Sequence, residues 1–192
     1  MRVRATAPDD LDLPTLVARA QRHEPAGEAA LFERFGPGLA GMLERLLGSL
    51  ADAEDALQDT FVVALGEIDQ LREPAAVGAW LTRIAVHQAQ RRFRRRRLLR
   101  VLGLDRSPRD AGLAELAAPT TPPDVRDTLR RLSDHLHGLP DALRLAWMLR
   151  HVEGESLPDV ARACGCSLAT AKRRIATADE KLRAKLDLGD EP

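Results

Sequence analysis

The chain has no tyrosine, only 3% aromatic residues, two cysteines and a formal net charge of zero over 192 residues. Strands favour β-branched and aromatic side chains, so this shortage argues against a sheet. The core must be built from Leu, Ala, Val and Ile on helices. Cys164 and Cys166, in "ACGCS", are too few for a disulfide framework or a four-ligand zinc site, and His135 and His137 fall in a separate predicted helix. They read as two small apolar side chains around a tight turn. No apolar run is long enough to span a bilayer, and "MRVRATAPDD" lacks the apolar stretch of a signal peptide. The expectation is a soluble, cytoplasmic protein without membrane insertion.

What the chain does have is segregated charge. Residues 1–80 carry 14 acids and 7 bases, whereas residues 81–100 carry 8 bases and no acid, with seven arginines in "RRFRRRRLLR". Such asymmetry points to an acidic partner near residue 90 and a different kind of partner for the earlier half. Residues 101–124 hold four prolines and read as a flexible linker between two helical blocks.

In the first block, Leu31, Phe35, Leu39, Leu43 and Leu46 or Leu47 repeat at three- and four-residue spacing. Leu57, Phe61, Ala64 and Ile68 form the stripe of the next helix, for which Asp52 is the expected N-cap. The opposite face presents Asp55, Gln58, Asp59 and Val62, a pattern that solvation alone could explain. The arginine-bearing helix is predicted to start near Pro74 and to bury Leu81, Ile84, Ala85, Ala89 and Phe93. Arg83, His87, Gln90 and Arg94 share another face of it. No acid on this helix relieves the like charge, which makes a nucleic-acid backbone the natural neutraliser.

After the linker, "ESLPDVARACGCSLATAKRRIATADEKLRAKL" reads as a helix-turn-helix. Ser156 and Ser167 cap its two helices and Gly165 makes the turn. Ala171, Ile175, Ala178 and Leu182 form the core stripe of the second helix. Ala169, Lys172, Arg173 and Ala176 lie opposite, with Thr170 and Thr177 at the edge, near the end from which base edges are reached. A helical hairpin with exposed bases is the competing reading; the cap–turn–cap punctuation favours DNA.

Three stretches, "ADAEDALQDTFVVAL", "AWLTRIAVHQAQRRFRRRR" and "LPDALRLAWMLRHVEGESLPDVARACGCSLATAKRRIATADEKLRAKL", make the chain resemble the extracytoplasmic-function (ECF) sigma factors of the sigma-70 family over about residues 15–187. The resemblance implies an all-α fold of two small helical domains. A region 2-like domain would span 14–100, a linker 101–124, and a region 4-like helix-turn-helix domain 125–187. It further implies that Asp55, Gln58, Asp59 and Val62 dock on the clamp region of the β′ subunit of core RNA polymerase. Trp80, Arg83, His87, Gln90, Arg91, Arg94 and Arg95 would melt and read the −10 element of promoter DNA. Ser167, Ala169, Thr170, Lys172, Arg173 and Arg174 would serve the −35 element. An anti-sigma factor is a possible further partner. No catalytic residue, cofactor or metal is expected, because no acid–base or metal-ligand constellation stands out. The chain departs from the family pattern at His87, Gln88 and Arg91, where Asn, Leu and Asp are usual. A stand-alone helix-turn-helix regulator is the alternative, and it would have no use for the acidic helix.

Overall fold

A computed structural model of the chain describes residues 12–102 and 122–186; the described residues form eight α-helices and no strand. Helix α1 (Leu13–Gln21) starts at Asp12, whose carboxylate accepts from the Thr15 amide at 2.9 Å. Helix α2 (Pro25–Leu47) buries Leu31, Phe35, Leu39, Leu43, Leu46 and Leu47, the stripe expected from their spacing. It packs so closely on α1 that a Cβ at Gly27 would stand 2.7 Å from Arg19 atoms, which reserves that position for glycine.

Helix α3 (Leu50–Glu67) is capped by Ser49, whose hydroxyl accepts from the Asp52 amide, and not by Asp52 as expected. Serine and aspartate cap equally well. Here the left-handed Gly48 ends α2 and leaves Ser49 in the extended conformation a cap requires. Phe61, Ala64 and Ile68 are buried as predicted, Leu57 only partly, and Ala53, Ala56 and Thr60 complete the buried face. The chain then passes 3₁₀ turns at Ile68–Gln70 and Pro74–Ala76. The Gln21 side-chain amide donates to the Ile68 and Leu71 carbonyls, tying this crossing to α1.

Helix α4 (Val77–Val101) follows, with Leu81, Ile84, Ala85, Ala89 and Phe93 all buried. Residues 103–121, most of the expected linker, lie outside the described residues. Its outer positions are helical: Val101 ends α4, and Pro123 opens α5 (Pro123–His137). Proline lacks an N–H, but that donor has no partner in a first helical turn, so Pro123 begins a helix where continuation would have been blocked. Helices α6 (Asp141–His151), α7 (Leu157–Ala163) and α8 (Leu168–Leu186) complete the second block.

The two blocks do not stand apart. One buried cluster runs from α1–α4 into Leu145, Ala146, Met148 and Leu149 of α6 and Val160, Ala161 and Ala163 of α7. A smaller cluster, Leu136, Leu139, Ala178 and Leu182, closes the far side of the second block. Trp147 packs against both clusters, and its indole N–H donates to Asp179 at 2.8 Å.

Candidate polymerase and nucleic-acid interface

The helical stripe that buries Ala56, Phe61 and Ala64 turns Asp55, Gln58, Asp59 and Val62 outward, and all four are exposed. Val62 is 67% exposed, and Phe32 of α2, 45% exposed, meets Phe61 edge-on with ring centroids 4.8 Å apart. An acidic face edged by uncovered apolar side chains suits protein docking better than solvation alone. Phe32 escapes a reading by periodicity, because it lies beside the α2 stripe and gives no signal of its own.

The arginine-rich helix is less uniformly free than its sequence suggests. Arg92 donates to Asp59 at 3.1 Å. Arg96 pairs with Asp52 and also donates to the Leu47 carbonyl at 3.2 Å. The acids missing from α4 itself are thus supplied by α3, and the expectation of wholly unrelieved charge is corrected for these two positions. Arg91, Arg94 and Arg95 remain exposed, as do Arg83 and His87, while Gln90 and Trp80 are half-buried. Trp80 packs against the main core.

Gln88, one of the three positions expected to depart from the family pattern, is buried, at 2% exposure. Its carbonyl accepts from Arg91 at 3.4 Å, so two of the three departures from that pattern touch each other.

In the second block Ser156 accepts from the Asp159 amide, and the same serine hydroxyl with Arg162 holds the Asp159 carboxyl below its ordinary range. Gly165, with φ +61°, makes the turn. Ser167 accepts from the Thr170 amide at 3.2 Å and bonds the Thr170 hydroxyl at 2.9 Å, so its side chain is engaged in capping. Ala171, Ile175, Ala178 and Leu182 face inward; Ala169, Lys172, Arg173 and Ala176 face solvent, and Thr170 is half-buried. Arg174 turns aside, half-buried, into a cleft of about 770 Å³ between the blocks, which Arg94, Arg96 and Arg144 also line.

Burial pushes the Cys164 thiol up to about 11, so it stays protonated at neutral pH. Among the described residues no three His, Cys, Asp or Glu side chains gather where a metal ion could be held.

Two contacts across the seam had no signal in the sequence. Arg45 of α2 makes a bidentate pair with Glu153, at 2.6 and 2.7 Å, over a separation of 108 residues. Arg144 of α6 lies 4.2 Å above the centre of the Phe93 ring on α4.

Comparison with known proteins accounts for this arrangement. The sigma-70 region 2 family matches residues 31–98, from α2 through nearly all of α4. The ECF RNA polymerase sigma-E factor of Haemophilus influenzae is 31% identical over 177 residues, which cover 89% of this chain and 93% of that one. A chain in the structure of CnrH with the cytosolic domain of CnrY superposes with a TM-score of 0.63 at 27% identity, covering 94% of this chain and 100% of that one. A chain in the co-crystal structure of the sigma factor RpoE with the anti-sigma factor NepR, from Bartonella quintana, gives 0.60 at 26% identity, over 81% of this chain and 92% of its own length. The likeness runs through both helical blocks, and the chain belongs to the ECF sigma factors of RNA polymerase.

Proposed function

We propose that the chain binds core RNA polymerase through the exposed α3 face and directs initiation from promoters read at two elements. Asp55, Gln58 and Asp59 supply carboxylate and amide acceptors for basic side chains on the polymerase clamp, and Val62 supplies an apolar anchor. Exposed Arg83, Arg91, Arg94 and Arg95 neutralise phosphates of the −10 region. His87 and Gln90 offer donors and acceptors to unpaired bases there, and the half-buried Trp80 offers an indole ring for stacking. On α8, Arg173 presents a planar fork suited to a guanine edge in the −35 major groove, Lys172 a point charge for phosphate, and Ala169 a methyl-sized contact. Ser167 and Thr170 fix the helix start, and Arg174 adds charge beside it.

The observation that carries this reading is the division of labour within one helical hairpin. The outer face of α3 is acidic and exposed, while α4 beside it exposes Arg83, His87, Arg91, Arg94 and Arg95. A stand-alone regulator needs only the second of these surfaces. The protein would act in the cytoplasm as a dissociable polymerase subunit, with no chemistry of its own. An inhibitor protein that seizes the free subunit is a further proposed partner, given that RpoE was crystallised with an anti-sigma factor. The test is run-off transcription with core polymerase and a promoter library. A start-site-specific transcript that depends on this chain is expected, and DNA binding without any such transcript would favour the stand-alone regulator.

A further inference from the structure

Two hollows lie between the helical blocks, and they differ in what they offer a ligand. The smaller is a groove of about 320 Å³ beside α7, where Glu67 stands among the basic side chains Arg83, His87 and Arg162. The larger is the cleft of about 770 Å³ that Arg94, Arg96, Arg144 and Arg174 line together with His137. Asp141 is the one acid among its lining residues. Four guanidiniums against one carboxylate is a strong local excess in a chain of zero formal net charge. Protein walls of low dielectric focus the field of such a group.

The four arginines are not equivalent. Arg96 is committed to Asp52 and to the Leu47 carbonyl, and Arg144 is buried over the Phe93 ring. These two fix the charge of the wall. Arg94 is exposed on α4 and Arg174 half-buried on α8, and neither makes an ion pair with a described residue. Helix α6 also starts here: Pro140, Asp141 and Ala142 are in the wall, and Pro140 as N-cap brings no side-chain acceptor to the first-turn amides. Those N–H groups form the positive end of the helix dipole. The larger apolar side chains of the wall, Phe93, Leu139, Leu145 and Cys164, are already covered, none more than 9% exposed. An amphipathic helix would find no uncovered apolar surface to bury there. The volume is that of a small-molecule site, on the order of 300–1,000 Å³, and does not admit a DNA duplex.

We infer that the larger cleft binds a small oligophosphate, as the inorganic ion or as the phosphate tail of a nucleotide. Arg94 and Arg174 hold it from opposite blocks, each with a planar fork that matches two phosphate oxygens. Arg96 and Arg144 contribute charge from the wall. A single phosphate brings a charge of about −2 at most, whereas a chain of two or three brings more and can reach both forks. Asp141 works against the anion and holds the affinity below what the arginines alone would give. The site needs neither polymerase docking nor promoter contacts.

The test is calorimetric titration of the whole chain, in magnesium-free buffer, with inorganic triphosphate, ATP and orthophosphate. Triphosphate should bind saturably at one site per chain and more tightly than orthophosphate. ATP binding tighter than triphosphate marks a nucleotide site, and ATP binding no tighter marks an inorganic one; either supports the cleft. Arg174→Ala should weaken triphosphate binding by about tenfold or more. Asp141→Asn should tighten it by about two- to fivefold, the scale of a solvated charge pair. The double variant Arg91→Ala/Arg95→Ala removes charge from the same helix as Arg94 but outside the cleft, and should leave the affinity where it was. Absence of saturable binding would overturn the site. So would an equal loss in Arg174→Ala and in the Arg91/Arg95 variant, since the general charge of α4 would then be the binder. If Arg174→Ala loses helicity, Arg94→Ala at the exposed side chain carries the same comparison. Failure of promoter-specific transcription would sink the sigma assignment while leaving the titration as it stands.

Discussion

Asp59 on α3 and Arg92 on α4 are joined by a 3.1 Å ion pair, so the proposed polymerase surface and the proposed DNA helix share a link. The Asp59 side chain remains 52% exposed. Such a surface pair contributes only about 0–1 kcal/mol to folding, which leaves the carboxylate available to a partner. Replacing Asp55, Gln58 and Asp59 together by alanine should weaken binding to core polymerase by about 2–5 kcal/mol while preserving helicity. Equal affinity of wild type and triple variant in a direct binding titration would remove the assignment.

Gln88 places an amide in an apolar environment, where its carbonyl accepts a long, 3.4 Å bond from Arg91. Gln88→Leu should therefore raise the unfolding temperature, and Arg91→Ala should lower it by removing the donor from a buried acceptor, at a cost of about 1–3 kcal/mol. A double-mutant cycle checks the coupling: in the Gln88→Leu background the Arg91 substitution should become nearly neutral. Additive effects would mean the two residues act independently.

His87 is exposed and borders the groove beside α7, which fits a role toward DNA. His87→Asn should change the base preferred in a −10 library selection and leave thermal unfolding where it was. An imidazole and an amide present donor and acceptor in different geometry, so the change is one of preference more than of affinity. Identical selected sequences from both proteins would assign His87 no reading role.

Arg173 and Lys172 are neighbours on the exposed side of α8 and should behave differently. Arg173→Ala should cost about 1–3 kcal/mol at a matched −35 site and relax the preference at one position. Lys172→Ala should weaken all sequences alike and lower the salt dependence of binding. A uniform loss for both variants across a randomised −35 library would leave no base reader among them.

Glu155, just ahead of α7, has its carboxyl raised above its ordinary value, chiefly by burial, with Asp159 and Glu153 adding repulsion. A raised acid favours the protonated folded state, so its contribution is favourable below the unfolded value and is lost as pH rises through the folded one. Glu155→Gln should therefore stabilise the chain where pH lies above the raised folded value, with the gain fading as pH falls from there towards the ordinary value and absent below it. Thermal unfolding across pH measures this directly; a constant difference would point to packing instead of charge.

Much of the fold is written in local pattern. The stripes of α2, α4 and α8, and the caps at Ser156 and Ser167, follow from spacing and residue type within single turns. At α3, Ser49 and Asp52 are chemically equivalent candidates, and only the left-handed Gly48 decides between them. The outward face of Asp55, Gln58, Asp59 and Val62 was legible for the same reason as the stripe it opposes. What local pattern cannot carry is pairing between helices. Arg92 and Arg96 look like their neighbours until α3 is packed beside them, and Arg45 and Glu153 stand 108 residues apart in unrelated segments. The burial of Gln88 likewise depends on which residues surround α4 and not on its own spacing.

The placement of Trp147 gives the protein a built-in optical signal. The chain has two tryptophans and no tyrosine, so its near-ultraviolet emission comes from Trp80 in the first block and Trp147 in the second. Trp147 touches both hydrophobic clusters, donates to Asp179 and lies 4.9 Å from the His151 ring, a potential quencher. With Trp80 replaced by phenylalanine, the remaining emission comes from Trp147, and its wavelength follows how much water reaches the indole. The order in which the halves of the molecule lose structure can thus be followed without attaching a dye.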